Sequence, residues 1–161
     1  MNWAHIHLLL NHVPVLGTVF GLGLLAYAIT RRSDPLKRAA LNVFVAVALV
    51  ALPVYFTGEP AEEVVEDAAG VSQGTIDAHE DSALMSLIGV EVLGVVALAG
   101  LLIARRGRPV SARITGVTLV VSLATAIAMA WTANLGGRIR HPEIGAGAQP
   151  VAADHQANEG R

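Results

Sequence analysis

The sequence predicts an all-α integral membrane protein: a four-helix bundle, N-out and C-out, with an acidic outer loop. Three observations predict it. Four stretches are almost wholly apolar and close to the roughly 20 residues that a helix needs to cross a hydrocarbon core. The chain is 53% hydrophobic and only 15% charged, with a mean hydropathy of +0.55. That is the balance of a polytopic membrane protein and not of a soluble domain of this size. The charges are also sorted, because eight of the eleven Lys and Arg residues lie in two short connections.

The first span runs from about Leu8 to Ile29. "AYA" at 26–28 imitates a cleavage site, but no Lys or Arg precedes the apolar run and Arg31 and Arg32 follow it. This is the reverse of a signal peptide, so the segment reads as a retained helix with its N-terminus outside. Pro14 lacks an N–H and frees the carbonyl of Leu10; a kink or loosened turn is expected there, aiming His12 into the bundle. The second span, Ala39 to Thr57, is the shortest, and the third and fourth cover Ala83 to Ala104 and Ile114 to Asn134. No period-2 alternation is present, which makes these helices and not barrel strands. Arg31, Arg32, Lys37 and Arg38 join spans one and two; Arg105, Arg106, Arg108 and Arg113 join three and four. The positive-inside rule places both connections in the cytoplasm. Both termini and the 58–82 loop are then outside, facing the periplasm from a bacterial inner (cytoplasmic) membrane. Trp3, Tyr55 and Trp131 fall toward the outer interface and Tyr27 toward the inner one, as an aromatic belt requires.

The 58–82 loop contains Glu59, Glu62, Glu63, Glu66, Asp67, Asp77, Glu80 and Asp81 and no Lys or Arg. Pro60 suits the first turn of a short helix over Glu59 to Asp67, and Gly70 to Gly74 reads as a turn. Such a loop is also what a solvated face obeying topology looks like. Residues 1–144 form the membrane domain, and 145–161 form a Gly/Ala/Gln-rich polar tail expected to be disordered on its own. The chain has no cysteine, which excludes disulfides, thiolate metal sites, iron–sulfur clusters and covalently attached c-type haem. No basic patch with interleaved aromatics supports nucleic-acid binding.

All six histidines, His5, His7, His12, His79, His141 and His155, fall on the outer side. Eleven of the thirteen acids join them, leaving Asp34 in a cytoplasmic connection and Glu91 within a span. The histidine layer is supplied from three segments: "HIHLLLNH" at 5–12, "AHED" at 78–81 and "NLGGRIRHPEI" at 134–144. His5 and His12 are seven apart and share one helix face, while His7 and Asn11 are four apart and share another. Three readings follow. In one, two histidines hold a b-type haem axially, His12 with His79 as the preferred pair and His7 with His141 as the other. Gly17, Gly21, Gly89 and Gly94 would leave a gap for the macrocycle, and Arg138 and Arg140 would meet its propionates. In the second, His7, His12, His79 and His141 bind a divalent transition metal (Zn, Cu, Mn or Fe) together with Glu59, Glu62, Glu63 and Glu80, N and O donors suited to such ions. In the third, the histidines are interfacial polar groups bonded to the acids, in a structural subunit of a membrane complex. Neither a paired ExxH motif nor HExxH is present.

Glu91 sits near the middle of the third span, where a carboxyl is costly and is a functional candidate. Thr115, Thr118, Ser122, Thr125 and Thr132 make a hydroxyl stripe on the fourth span. Glu91 is expected either to hydrogen-bond one of these hydroxyls, which would be a structural role, or to serve a proton- or quinone-linked one.

"HIHLLLNHVPVLG", "TGEPAEEVVE", "AHED" and "NLGGRIRHPEI" together resemble a family of small bacterial four-helix membrane proteins that are similar in layout to small b-type cytochromes. The resemblance covers about residues 5–144. It implies the four-helix fold and an outer histidine layer at His7, His12, His79 and His141. Cytochromes that move electrons across a membrane stack two haems at two depths. This chain has no cytoplasmic histidine, so a haem here would serve the outer face, as electron transfer within a redox assembly of other membrane or periplasmic subunits.

Overall fold

The computed structural model describes residues 3–62, 73–105 and 107–140, except the side chains of Ala4, Glu62 and Arg140. Six helices follow in order: α1 (Trp3–Leu10), α2 (His12–Thr30), α3 (Asp34–Phe56), α4 (Gly58–Glu62), α5 (Gln73–Ile103) and α6 (Ala112–Arg140). No strand occurs among the described residues. Four helices are long and apolar enough to cross a membrane: His5–Thr30, which takes in the end of α1, then α3, α5 and most of α6. The expected multi-pass helical architecture is therefore present.

The spans close into a ring in which α2 packs on α3, α3 on α5, α5 on α6 and α6 back on α2. Each neighbour in that ring runs antiparallel to the next, as short connections demand. One end of the bundle carries the Arg-rich connections and the other carries His5, His7, His12 and His79. The outward surface is apolar all round. Phe20, Leu49, Val95 and Val120, one from each span, are 62%, 67%, 67% and 68% exposed. A soluble domain buries such a surface, whereas lipid covers it at no cost.

Inside, Leu25, Leu41, Phe44, Leu93 and Ala97 form one cluster, and Val47, Ala51, Val90 and Met129 a second one nearer the histidine end. Glycines bring the helices close. A Cβ on Gly21 would stand 2.5 Å from Phe44 Cε1, and one on Gly17 2.5 Å from Val47 Cγ2. Gly94 packs in the same way on Ala48, and Gly89 faces Thr125. These positions are occupied by helix–helix contact, so the expected gap for a macrocycle at Gly17, Gly21, Gly89 and Gly94 is filled. The spacing of small residues that admits a flat ring also admits a neighbouring helix, and here the helix takes it.

α6 presents hydroxyls to the core. Thr115, Thr118, Ser122 and Thr125 are buried. Thr115 donates to Ser111 O at 3.0 Å, Thr118 to Ile114 O at 2.8 Å and Ser122 to Leu119 O at 3.0 Å. Three members of the stripe are thus satisfied within their own helix. Glu91 is half-buried on α5, one helical turn from Gly94, which packs on Ala48 of α3. Its Oε1 is buried and has no hydrogen-bond partner among the described residues, so the expected bond to an α6 hydroxyl is absent among them.

At the arginine end, Ser33 caps α3 by accepting from Leu36 N–H, with Pro35 in the first turn. Asp34 accepts from Val110 N–H at 2.6 Å and from Arg38 Nε at 2.8 Å. Arg38 also donates to Ala104 O at 2.7 Å and to Arg108 O. This clasp ties the start of α3 to the α5–α6 connection and so holds the two basic connections together. The one acid among the basic residues thereby acquires a structural role that topology alone did not give it.

Candidate functional site

At the histidine end the short helices α1 and α4 pack on each other, with α4 against the end of α3. α1 stops at Leu10 because Pro14 has no N–H to return to the Leu10 carbonyl and its ring crowds that oxygen. The interruption at Asn11 is the expected one. Its effect on His12 is not: His12 is exposed, and its Nδ1 donates across the interruption to Leu8 O of α1 at 2.9 Å. His7 is the helix-one histidine that turns inward, since it lies on the face of α1 that packs against α4.

His7 Nδ1 lies 3.2 Å from Val54 O and 3.2 Å from Thr57 Oγ1. Val54 lies in the last turn of α3, and Thr57 is its C-cap residue. Thr57 Oγ1 itself donates to Val54 O at 2.7 Å. Its proton is therefore engaged, and a carbonyl can only accept, so Nδ1 of His7 carries the ring proton. Gly58 leaves room for the ring, since a Cβ there would be 3.8 Å from His7 Cε1.

His79 is held in the same manner from the opposite side. α5 begins at Gln73 and not near Ala83, so the ring stands on a helix well before the apolar span starts. His79 Nδ1 donates to Thr132 O of α6 at 3.1 Å. Thr132 is fixed in turn, its hydroxyl lying 2.6 Å from Ser82 Oγ and 2.9 Å from Ser86 Oγ. Gly136 makes the approach feasible: a Cβ there would be 3.0 Å from His79 Cε1. α6 continues to Arg140, so "NLGGRIR" is helical and its first glycine is the seat of an imidazole.

Both rings are half-buried at the same end of the bundle. With both protons on Nδ1, each Nε2 is an unprotonated lone pair. Among the described residues neither Nε2 has a hydrogen-bond partner. Asn11, one turn beyond His7, has a buried Oδ1 with no partner among the described residues.

The other expected residues are spread out. Glu59, Glu80 and Arg138 are exposed, Glu62 and Arg140 close α4 and α6, and His141 and Glu63 lie outside the described residues. Of the expected pair His12 and His79, His12 is exposed and bonded to Leu8 O, and the pairing of His7 with His141 falls partly outside the described residues. No group of three or more His, Asp or Glu residues positioned for a metal ion occurs among the described residues. Reading the sequence missed Thr57, Thr132 and Gly136 as supports of the rings; only the Gly136–Gly137 pair, unusual inside a helix, signalled a close approach. Comparison with family models, with curated proteins and with solved structures gives no match to this chain.

Proposed function

We propose that the histidine end holds one b-type haem between His7 and His79 and that the protein transfers electrons at the outer face of a bacterial cytoplasmic membrane, within a larger redox assembly. The observation that carries this reading is the pair of Nδ1–H···O=C bonds, which orient both imidazoles and leave both Nε2 lone pairs open. An imidazole that ligates a metal characteristically donates its other N–H to a carbonyl or carboxylate, which fixes tautomer and ring orientation. Haem iron needs only two protein ligands, whereas a structural zinc site needs four. Two neutral nitrogens without a third side-chain donor fit the former. With the glycine faces filled by neighbouring helices, the reading seats the cofactor at the histidine end of the bundle and not between the spans.

When bound, such a group supplies one-electron transfer between its ferric and ferrous states. The chain's own residues hold the rings: Val54 and Thr57 set His7, and Thr132 sets His79. The basic connections put this end outside by the positive-inside rule. The test is the visible spectrum of the purified protein with three variants. Low-spin bands are expected in the wild type and in His12→Ala and should be lost in both His7→Ala and His79→Ala. Colourless protein with stoichiometric bound zinc or copper would instead assign the layer to metal handling, and colourless, metal-free protein to a structural subunit.

A further inference from the structure

An open groove runs along the lipid-facing side of the α5–α6 pair, one turn from His79. Ser82, Ala124 and Ala128 form its floor, Met85, Ile127 and Trp131 its walls, and Asp81 stands at its polar end. We infer that this groove binds the head of a membrane hydroquinone, an aromatic diol on an apolar tail. The inference rests on the redox reading above and names the lipid-soluble carrier class that would reach the histidine end.

Five features select this occupant. Both flanking helices are spans, so the groove opens onto lipid and is entered from the bilayer. Met85, Ile127 and Trp131 are 64%, 64% and 61% exposed, which leaves apolar and aromatic surface for a ring and the start of a tail. From Ala124 to Trp131 the floor and wall extend about 10 Å along the helix, the reach of one substituted ring and its first tail unit. Charge decides the head. Asp81 is exposed, and no Lys or Arg lines the groove. A carboxylate accepts a hydrogen bond from a neutral phenolic hydroxyl and repels a phosphate headgroup. The groove is also continuous with the histidine site. The floor residue Ser82 bonds the Thr132 hydroxyl at 2.6 Å, and the Thr132 carbonyl takes the His79 N–H at 3.1 Å.

Trp131 makes the test direct. The chain has two tryptophans, so Trp3→Phe leaves Trp131 as the sole reporter in the groove. The Trp3→Phe protein in phosphatidylcholine vesicles is titrated with a decyl-substituted benzoquinone, the oxidised and fluorescence-quenching form of the head. Saturable quenching is expected; decyl-substituted hydroquinone, added under argon, should displace the quinone, and do so roughly tenfold less well in Asp81→Asn, the scale of a lost bond from its hydroxyl to a charged acceptor. Ala128→Phe, or Ala124→Leu where the larger change disturbs folding, should turn saturable quenching into a shallow linear dependence, with helix content checked by circular dichroism. Linear quenching in the Trp3→Phe protein itself overturns the inference. So does displacement of the probe by phosphatidylethanolamine, which would assign the groove to phospholipid. His12→Ala, at an exposed residue outside the site, should in the same background leave the quenching curve unchanged. Colourless protein with saturable quenching therefore defeats the haem reading alone, and coloured protein with linear quenching defeats the groove alone.

Discussion

Gly136 decides where His79 sits. A Cβ there would fall 3.0 Å from His79 Cε1, tighter than an ordinary contact, on a ring already held by Thr132 O. Gly136→Ala is predicted to push the imidazole off that carbonyl while α6 stays helical. The expected result is unchanged far-UV circular dichroism with weakened or lost low-spin bands. Glu91 poses the opposite problem. Its buried Oε1 has no partner among the described residues, and a buried acceptor left unpaired costs on the order of 1–3 kcal/mol. Replacing it with an apolar side chain of similar length removes that cost. Glu91→Met is predicted to raise the thermal unfolding midpoint in detergent by the equivalent of about 1 kcal/mol. A lowered midpoint would show that the carboxyl has a stabilising partner in the working protein.

The helices meet where small residues allow, and the same faces separate what the sequence showed from what it hid. Gly21 takes Phe44 against its Cα, and Phe44 is fully buried, whereas a Cβ on Gly23 of the same helix would meet nothing within 4 Å. Gly21→Ala is predicted to destabilise by about 1–3 kcal/mol through overpacking, and Gly23→Ala to be neutral or slightly stabilising, in unfolding from the same detergent. The four spans were legible because apolar runs of that length answer to lipid alone. The helix ends were less so. α5 begins at Gln73 and carries the polar stretch Asp77 to Ser82 as helix, which hydropathy does not register because helix continues past the apolar core. The glycines were legible as small and not as occupied, since a ring and a neighbouring helix ask for the same spacing. The gathering of histidines at one end followed from sorting along the sequence. Which two meet depends on rotation about each helix axis and on how α1 packs against α4, and neither is a property of local pattern.

At the scale of the molecule, two ends of one bundle are chemically opposed. The Asp34–Arg38 clasp joins the basic connections at one end, and His7 and His79 lie at the other, about a bilayer's depth of helix away. With the basic end inside, a reporter active only outside the cytoplasm and fused after Arg161 should be active, and one inserted at Gly107 silent. The reverse would put the histidines in the cytoplasm and remove the outer-face role. That the Nε2 atoms of His7 and His79 ligate one group is the proposal for the histidine end. It is tested most directly by ligand replacement. His7→Gly deletes one imidazole, and dissolved imidazole can enter the vacated space. The account predicts that low-spin electron paramagnetic resonance and visible signals present in the wild type disappear in His7→Gly and return when millimolar imidazole is added. A wild-type protein without these signals, or a His7→Gly protein that keeps them with no imidazole present, would contradict it.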